Sequence, residues 1–355
     1  MTAQTTTNGN GEPSTKRPRI EGDNVKSHKM AYLGPPGTYG QMAAAAFQSC
    51  YDAPIELIPC PSISAKCVRV AIWETSATFH VLPLENTIHG GVTETLDCLL
   101  SNLNFSSHSS TSNLVREKKH RRIIADLALP ISHVLVVRKG VKKEDIKWIR
   151  SHEQALGQSS KFIKTHYSTA RLKTYPSTAG AAISLLNPTS SDLEEGEGAA
   201  LCSKAAAKLY EDQLDVLYEG TQGISNNFTR FILLSSSSAI SPPAPIRHVC
   251  SPSQTAFYTL PSAKEIIPFF QSSRIRNIHS RPSPISSDPI PQNGKTTQDV
   301  WVNREERFPT LYLVEVDIAI EGNDIDQTQS SIGEEKGWYL GKAEWRVTDE
   351  QITAL

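Results

Sequence analysis

Three short segments combine residue types that can do chemistry. Asn226-Asn227-Phe228-Thr229-Arg230-Phe231 places two amides ahead of a hydroxyl and a guanidinium set between aromatic rings. If this is a strand, alternation puts Phe228 and Arg230 on one face and Thr229 and Phe231 on the other. Thr229 and Arg230 then need not share a site. Arg230 suits either a substrate carboxylate or a structural ion pair. Pro83-Leu84-Glu85-Asn86-Thr87 ends an apolar run with an acceptor, an amide and a hydroxyl, followed by Gly90-Gly91. Strand C-termini in open α/β sheets are where small ligands bind, although Thr87 fits a turn cap equally well. Gly34-Pro35-Pro36-Gly37-Thr38 precedes an Ala-rich stretch. A tight turn of this kind aims backbone N–H groups and the positive end of a helix at one spot, which suits a carboxylate or phosphate. No Gly-Lys-Ser or Gly-Lys-Thr follows, so this is not a nucleotide-binding P-loop. Together the pieces suggest an anion-binding cleft without metal, nucleotide or covalent nucleophile.

The elements that must position these groups alternate in type. Strands are expected at Met30–Leu33, Ile55–Ile58, Thr78–Leu82, Ile131–Val137, Ala199–Cys202 and Phe228–Leu234. Helices are expected over 41–50, 62–73, 93–103, 178–186 and 203–210. Ser151 with Gln154 reads as a capping box opening a helix that buries Ala155, Leu156, Phe162 and Ile163. Alternation of this kind argues for an α/β layer. Residues 104–120 read as a surface insertion and 190–198 as an acidic loop.

Composition bounds the rest. The 355 residues carry a formal net charge of -1, so no single-sign field points to nucleic acid or a membrane surface. No apolar run approaches the roughly 20 residues of a membrane helix. Six scattered cysteines without a C-x-x-C pair, and no secretory leader, lead us to expect reduced thiols and a cytoplasmic protein. Residues 1–28 lack periodic apolar positions and read as a disordered tail; the basic run Lys16-Arg17-Pro18-Arg19 within it reads as a solvated stretch. A Ser- and Pro-rich stretch marks a linker at 236–251, between a first domain over 29–235 and a second over 252–355. The second has strand-like Thr255–Leu260, a short helix over 263–270, a return at Arg276–His279, a long polar loop over 282–306 and strands at Thr310–Ile318 and Trp338–Val347.

Taken in order, these segments resemble the prephenate dehydratase family. Gly34-Pro35-Pro36-Gly37-Thr38-Tyr39 is similar to its G-P-x-G-T-F/Y. Pro83 to Thr87, with Gly90 and Thr95-Leu96-Asp97, is similar to P-I/V/L-E-N-S-x-x-G and T-L-D. Ser151 to Gln158 resembles S-H-P-Q-A-L-x-Q, Ser177-Thr178-Ala179 matches S-T-A, and Asn227 to Phe231 is like N-x-T-R-F. The family's Ser-Glu after the opening motif is replaced here by Gly40-Gln41, and the acidic residue before N-x-T-R-F by Gly223.

The resemblance implies an α/β fold with a two-lobed, periplasmic-binding-protein-like catalytic domain, followed by a diverged α+β ACT-like regulatory domain. It implies a lyase without cofactor that decarboxylates and dehydrates prephenate to phenylpyruvate for L-phenylalanine biosynthesis, a branch of the shikimate pathway. Thr229 would hydrogen-bond the departing hydroxyl. Thr38, Glu85, Asn86, Thr87, Gln158, Thr178, Asn227 and Arg230 would bind substrate. In the second region the family's G-A-L appears as Thr255-Ala256-Phe257 and its E-S-R-P as His279-Ser280-Arg281-Pro282. Ala256, Phe257, Ser280, Arg281 and Pro282 are therefore the candidates for an L-phenylalanine effector site, and a homodimer or homotetramer is expected. His89 and His152 are read as structural. Arogenate dehydratase, prephenate decarboxylase and a non-catalytic amino-acid or keto-acid sensor are the rival readings; retention of Thr229 argues against the decarboxylase.

Overall fold

The computed structural model describes residues 28–64, 71–101, 121–236, 250–260, 274–282, 310–317 and 338–347, with Pro245, Ile266 and Ile352. The expected tail, the 104–120 insertion, most of the linker, the helix over 263–270 and the 282–306 loop lie wholly or largely outside these residues.

The chain opens with β1 (His28–Leu33), α1 (Tyr39–Gln48), β2 (Ile55–Cys60), β3 (Phe79–Asn86), the two-residue β4 (Gly90–Gly91), α2 (Thr93–Ser101) and β5 (Arg121–Pro130). It then builds a second layer from β6 (His133–Arg138), β7 (Ile146–Ser151), α3 (Glu153–Gln158), α4 (Ser160–His166), β8 (Arg171–Thr174), α5 (Thr178–Leu186), α6 (Ser190–Glu194), β9 (Glu197–Ser203), α7 (Lys204–Leu209) and β10 (Leu214–Glu219). It returns through β11 (Phe228–Ser236), and β12 (Cys250–Leu260), β13 (Arg274–Pro282), β14 (Thr310–Asp317) and β15 (Trp338–Val347) follow.

Two sheets result. The first runs β13-β14-β12-β15-β5-β11-β3-β1-β2, with β4 against β3; the second runs β10-β6-β9-β7-β8. The chain thus leaves the first sheet after β5 and rejoins it at β11, so two crossings tie a pair of lobes together. Those crossings bond to each other: the Thr221 N–H donates to the His133 carbonyl at 3.0 Å, and the His133 N–H donates to Gln222 Oε1 at 2.9 Å. The strands after residue 250 continue the first sheet, β15 lying parallel to β5. No helix among the described residues is long and apolar enough to cross a membrane.

Burial follows alternation. One face of the first sheet packs Met30, Tyr32, Phe79, Leu127 and Leu233 against Ala43, Ala44 and Phe47 of α1. Its other face joins Leu82, Leu84, Ile232 and Leu234 to Leu96 and Leu99 of α2 and to Phe257 of β12. The second sheet is covered on both faces in the same way. Each fully buried Phe or Leu of these layers contributes roughly 1.5–3 kcal/mol.

Several expectations need correction. Ser151 is not a helix cap: it ends β7, and its hydroxyl donates to the Leu201 carbonyl at 2.7 Å. His152 caps α3 instead, its Nδ1 accepting from the Gln154 N–H. The helix through Ala155 and Ile163 is two short helices broken at Ser159, whose hydroxyl bonds that of Thr221 at 3.1 Å. Within the expected helix over 62–73, Ser62 and Ala71 form a bridge and Ile72–Glu74 a 3-10 turn. The acidic loop contains α6, held by a capping box between Thr189 and Asp192.

Candidate functional site

A cleft of about 420 Å³ opens where the two lobes face each other, within the range of small-molecule sites. From the first lobe it is lined by the loop and helix start from Leu33 to Gly40, by Pro83 and Asn86 at the end of β3, and by Thr229 and Phe231 on β11. The second lobe and its crossing contribute Ile131, His133, His152, Gln154, Gln158, Ser177 and Thr178. The two sides touch directly. The Ser203 hydroxyl donates to the Gly37 carbonyl at 2.6 Å, and the Tyr39 hydroxyl to the Ser132 carbonyl at 2.6 Å.

The loop geometry depends on glycine. Gly37 has a φ of +86°, and a Cβ there would press on the Ala206 backbone 2.8 Å away. At Gly40 a Cβ would collide with the Leu33 carbonyl, which explains why this chain cannot carry serine there without rearrangement. Gln41 keeps a polar role, accepting the Gly37 N–H at 2.6 Å. Thr38 lines the cleft, but its hydroxyl is engaged by its own turn: it donates to the Pro35 carbonyl at 2.9 Å and accepts from the Gln41 N–H as the cap of α1. Ser177 caps α5 in the same manner, leaving Thr178 as its first residue at the cleft wall. The positive ends of α1 and α5 therefore open onto one space.

Asn86 is the hub of the floor. Its Oδ1 accepts the N–H groups of Ile88 and His89, while its Nδ2 lies 3.0 Å from Asn227 Oδ1, the Phe228 carbonyl and Thr229 Oγ1. Asn227, 1% exposed, passes the network on by donating to Gln158 Oε1 at 2.9 Å. Gln158 Oε1 also meets His133 Nε2 at 2.9 Å, and His133 Nδ1 meets the Tyr39 hydroxyl at 3.0 Å. Because Thr229 Oγ1 accepts from Asn86, its own hydrogen is available to a ligand in the cleft.

Of the residues singled out in the sequence, Thr38, Asn86, Gln158, Thr178 and Thr229 line this space, and Asn227 sits directly behind it. Three others do not, and their assignment to substrate is corrected. Arg230 points to the opposite face of β11, as alternation requires. It donates to Asp126 at 3.0 Å, to Glu85 at 3.1 Å and to Glu315 at 2.6 Å. Glu85 faces the same way and also accepts from Asn277 at 2.9 Å. Thr87 bridges a turn, its hydroxyl donating to the Asn226 carbonyl and accepting the Phe228 N–H, both at 3.0 Å.

The residues overlooked are Tyr39, His133 and Gln154. Tyr39 was part of a motif without a role. His133 is a lone histidine at the start of a strand, and no spacing signals it. Burial pushes the His133 imidazole below its ordinary value, with the Gln158 bond acting against that shift.

The effector candidates are dispersed within one chain. Ala256 and Phe257 are fully buried and pack into different cores, Arg281 pairs with Asp97 at 2.7 Å, and β14 lies between β12 and β13. A second cavity, of about 450 Å³, lies beside Arg150, Lys173 and Asp192, where the two cations are already engaged by Asp192 and Glu195.

The fold is two α/β lobes around a cleft of mixed lining, with amide side chains and two helix N-termini at its wall. Residues 30–239 match the family model described as prephenate dehydratase, and the chain belongs to that family. A similar curated protein is the chloroplastic arogenate dehydratase/prephenate dehydratase 1 of Arabidopsis thaliana, 32% identical over 215 residues, covering 60% of this chain and 46% of the relative. The chain spans about half the length of the curated relatives it matches. Among solved structures, a prephenate dehydratase in complex with L-Phe from Arthrobacter aurescens superposes with a TM-score of 0.63 at 22% identity, covering 91% of each chain. A protein described as a quorum-quenching acylase has the same fold, with a TM-score of 0.60 at 18% identity over 91% of this chain and 98% of its own. Fold alone therefore does not define the reaction.

Proposed function

We propose that this chain is a prephenate dehydratase, converting prephenate to phenylpyruvate, carbon dioxide and water. The observation that carries the reading is the Thr229 hydroxyl, accepting from Asn86 at 3.0 Å and lining a cleft that has no Lys, Arg, Asp or Glu among its described lining residues. In the reaction the bond from the ring to its carboxylate breaks, and the electron pair enters the ring. The C4 hydroxyl then leaves as the ring aromatises, taking up one proton from solvent to depart as water. Thr229 donates a hydrogen bond to that departing oxygen, help of a kind worth on the order of 10² to 10⁴ in rate. Asn86, Gln158 and the ends of α1 and α5 orient the dianion and hold their dipoles ready, with Asn227 behind them fixing both amides. The apolar surfaces of Leu33, Ile131, Pro83 and Phe231 strip water from the ring carboxylate.

Incubating purified protein separately with prephenate and arogenate, and following phenylpyruvate and phenylalanine by chromatography, tests this. Phenylpyruvate from prephenate is expected. Phenylalanine from arogenate alone would make it an arogenate dehydratase, the second activity in the Arabidopsis relative's name. Neither product would leave a sensor. We extend the proposal to a division into a catalytic unit over 29–235, a linker over 236–251 and an ACT-like unit over 252–355, in a cytoplasmic homodimer or homotetramer. L-phenylalanine is the proposed effector, by analogy with the Arthrobacter protein solved with it. Inhibition of turnover on titrating phenylalanine is expected, and a flat response refutes it.

A further inference from the structure

Prephenate brings two carboxylates into a cleft whose titratable lining groups, among the described residues, are Tyr39, His133 and His152. Helix ends and amides supply only partial charge. Among the described lining groups, only an imidazole can supply a full counter-charge.

Donor and acceptor logic identifies which one. Two backbone N–H groups, of Ile88 and His89, converge on a single atom of the Asn86 amide, which must be Oδ1. Asn86 therefore turns Nδ2 toward Asn227, whose facing atom must be Oδ1. Asn227 then presents Nδ2 to Gln158, so Gln158 faces it with Oε1. The same Oε1 lies 2.9 Å from His133 Nε2, and an acceptor there requires Nε2 to carry a hydrogen. On the other side of the ring, Nδ1 lies 3.0 Å from the Tyr39 hydroxyl, which is also 2.6 Å from the Ser132 carbonyl. A neutral His133 thus leaves two acceptors, Nδ1 and the Ser132 oxygen, competing for one Tyr39 hydrogen. A proton on Nδ1 removes the competition, because His133 then donates to Tyr39 and Tyr39 to Ser132. The network is one proton short.

We infer that His133 takes up this proton from solvent at Nδ1 when the dianion enters, and that it serves as the counter-charge of the bound substrate. The inference rests on the functional reading above and adds to it a linkage between binding and protonation. The groups around the ring agree. Tyr39 faces it from α1 and Gln158 from α3, Gln222 of the second crossing accepts the His133 backbone N–H, and β9 pairs with β6 at Ser203 and Cys202. Burial pushes the Tyr39 hydroxyl upward and the Cys202 thiol up to about 12, so both stay neutral at working pH. His89 reaches only the far end of Gln158, at 3.1 Å, and His152 lines the cleft from the cap of α3. No carboxylate is among the groups bonded to this ring in the described residues.

With an empty cleft His133 is neutral above its lowered value, whereas the bound dianion holds it protonated to higher pH. Between those two values affinity falls about tenfold for each pH unit of rise. Steady-state kinetics with prephenate from about pH 5.5 to about pH 9, for wild type and for His133→Gln, reads this directly. Glutamine keeps an N–H for Gln158 but cannot be charged. For wild type, KM should climb about tenfold per pH unit across the window while kcat holds. In His133→Gln, KM should be raised at the low end and flat. A wild-type KM that is flat while phenylpyruvate forms overturns the inference, as does a variant that keeps the wild-type pH profile. Should the variant not fold, Thr229→Val protein can be titrated calorimetrically with prephenate in phosphate and in Tris. A heat difference equivalent to about one proton per site supports the inference, and none overturns it. Absence of both turnover and binding heat instead removes the functional reading beneath it.

Discussion

Replacing Thr229 by valine tests the chemistry with little disturbance to the fold. Valine has the shape of threonine and removes only the hydroxyl. Thr229 Oγ1 is one of three acceptors around Asn86 Nδ2, and the other two, Asn227 Oδ1 and the Phe228 carbonyl, stay at 3.0 Å. The lost hydrogen bond should therefore cost no more than about 1 kcal/mol of stability. Its effect on the reaction is larger, because the hydroxyl is the only donor assigned to the departing oxygen. A loss of about 10² to 10⁴ in kcat is expected, equivalent to about 2.7–5.4 kcal/mol in the transition state. KM should change little, since Asn86, Gln158 and the two helix ends are untouched. The assay pairs initial rates of phenylpyruvate formation with a urea melt of the same preparation. A variant that melts like wild type and retains kcat within about tenfold would refute a role for Thr229 at the leaving oxygen.

Three further substitutions probe how the site is held. Arg230→Met should destabilise the protein by about 3–5 kcal/mol in urea titration, because Glu315 and Asp126, both at most 1% exposed, lose a buried partner; an unchanged midpoint would contradict this. Gly40→Ser, which restores the residue usual in the family, should cost about 1–3 kcal/mol through its collision with the Leu33 carbonyl, and a more stable variant would show that the loop yields freely. Burial alone would raise the Asp192 carboxyl, but bonds from Arg150, Lys173 and Thr189 outweigh it and hold the group well below the usual carboxylate range. A depressed folded-state value contributes stability above the unfolded value of about 4, and that contribution is lost as pH falls through the folded value. The gap in stability between wild type and Asp192→Asn should therefore be constant from about pH 5 to 8 and shrink below about pH 4; a gap that widens in acid would refute the sign.

What could be read from the sequence divides along physical lines. Thr178–Leu186 was legible to its ends, because Ser177 caps it and small apolar residues fill its buried face. Strand β11 was legible through its run of aromatic and branched residues. Strand β5 was not, since Asp126 interrupts it, and that buried charge is compensated by Arg230 and Arg346 from distant parts of the chain. Strands β7, β8 and β10 were missed as well, with Lys, Arg and Asp breaking their apolar pattern. In the site, the segments carrying Asn86 and Thr229 stood out because polar residues end apolar runs there. His133 did not, because its role exists only through partners contributed by α1, α3 and the crossing before β11.

The same alternation that separates Thr229 from Arg230 decides the electrostatics of the cleft. On β3 and β11, Asn86 stands opposite Thr229 and Glu85 opposite Arg230, so amide and hydroxyl share one face and the ion pair the other. Arg230 is the formal cation nearest to Thr229 in sequence, yet Glu85, Asp126 and Glu315 surround it, and Arg346 and His279 complete the cluster. Among the described residues, three carboxylates against two guanidinium groups and an imidazole leave this cluster no net positive charge to reach through the strand to a ligand. Burial would raise the Glu315 carboxyl, but His279 and Arg230 hold it below its usual range, so its negative charge persists and keeps the guanidinium compensated. A dianion in the cleft must then be balanced from its own side, by the ends of α1 and α5 and by the imidazole that Asn86, Asn227 and Gln158 leave ready to accept a proton.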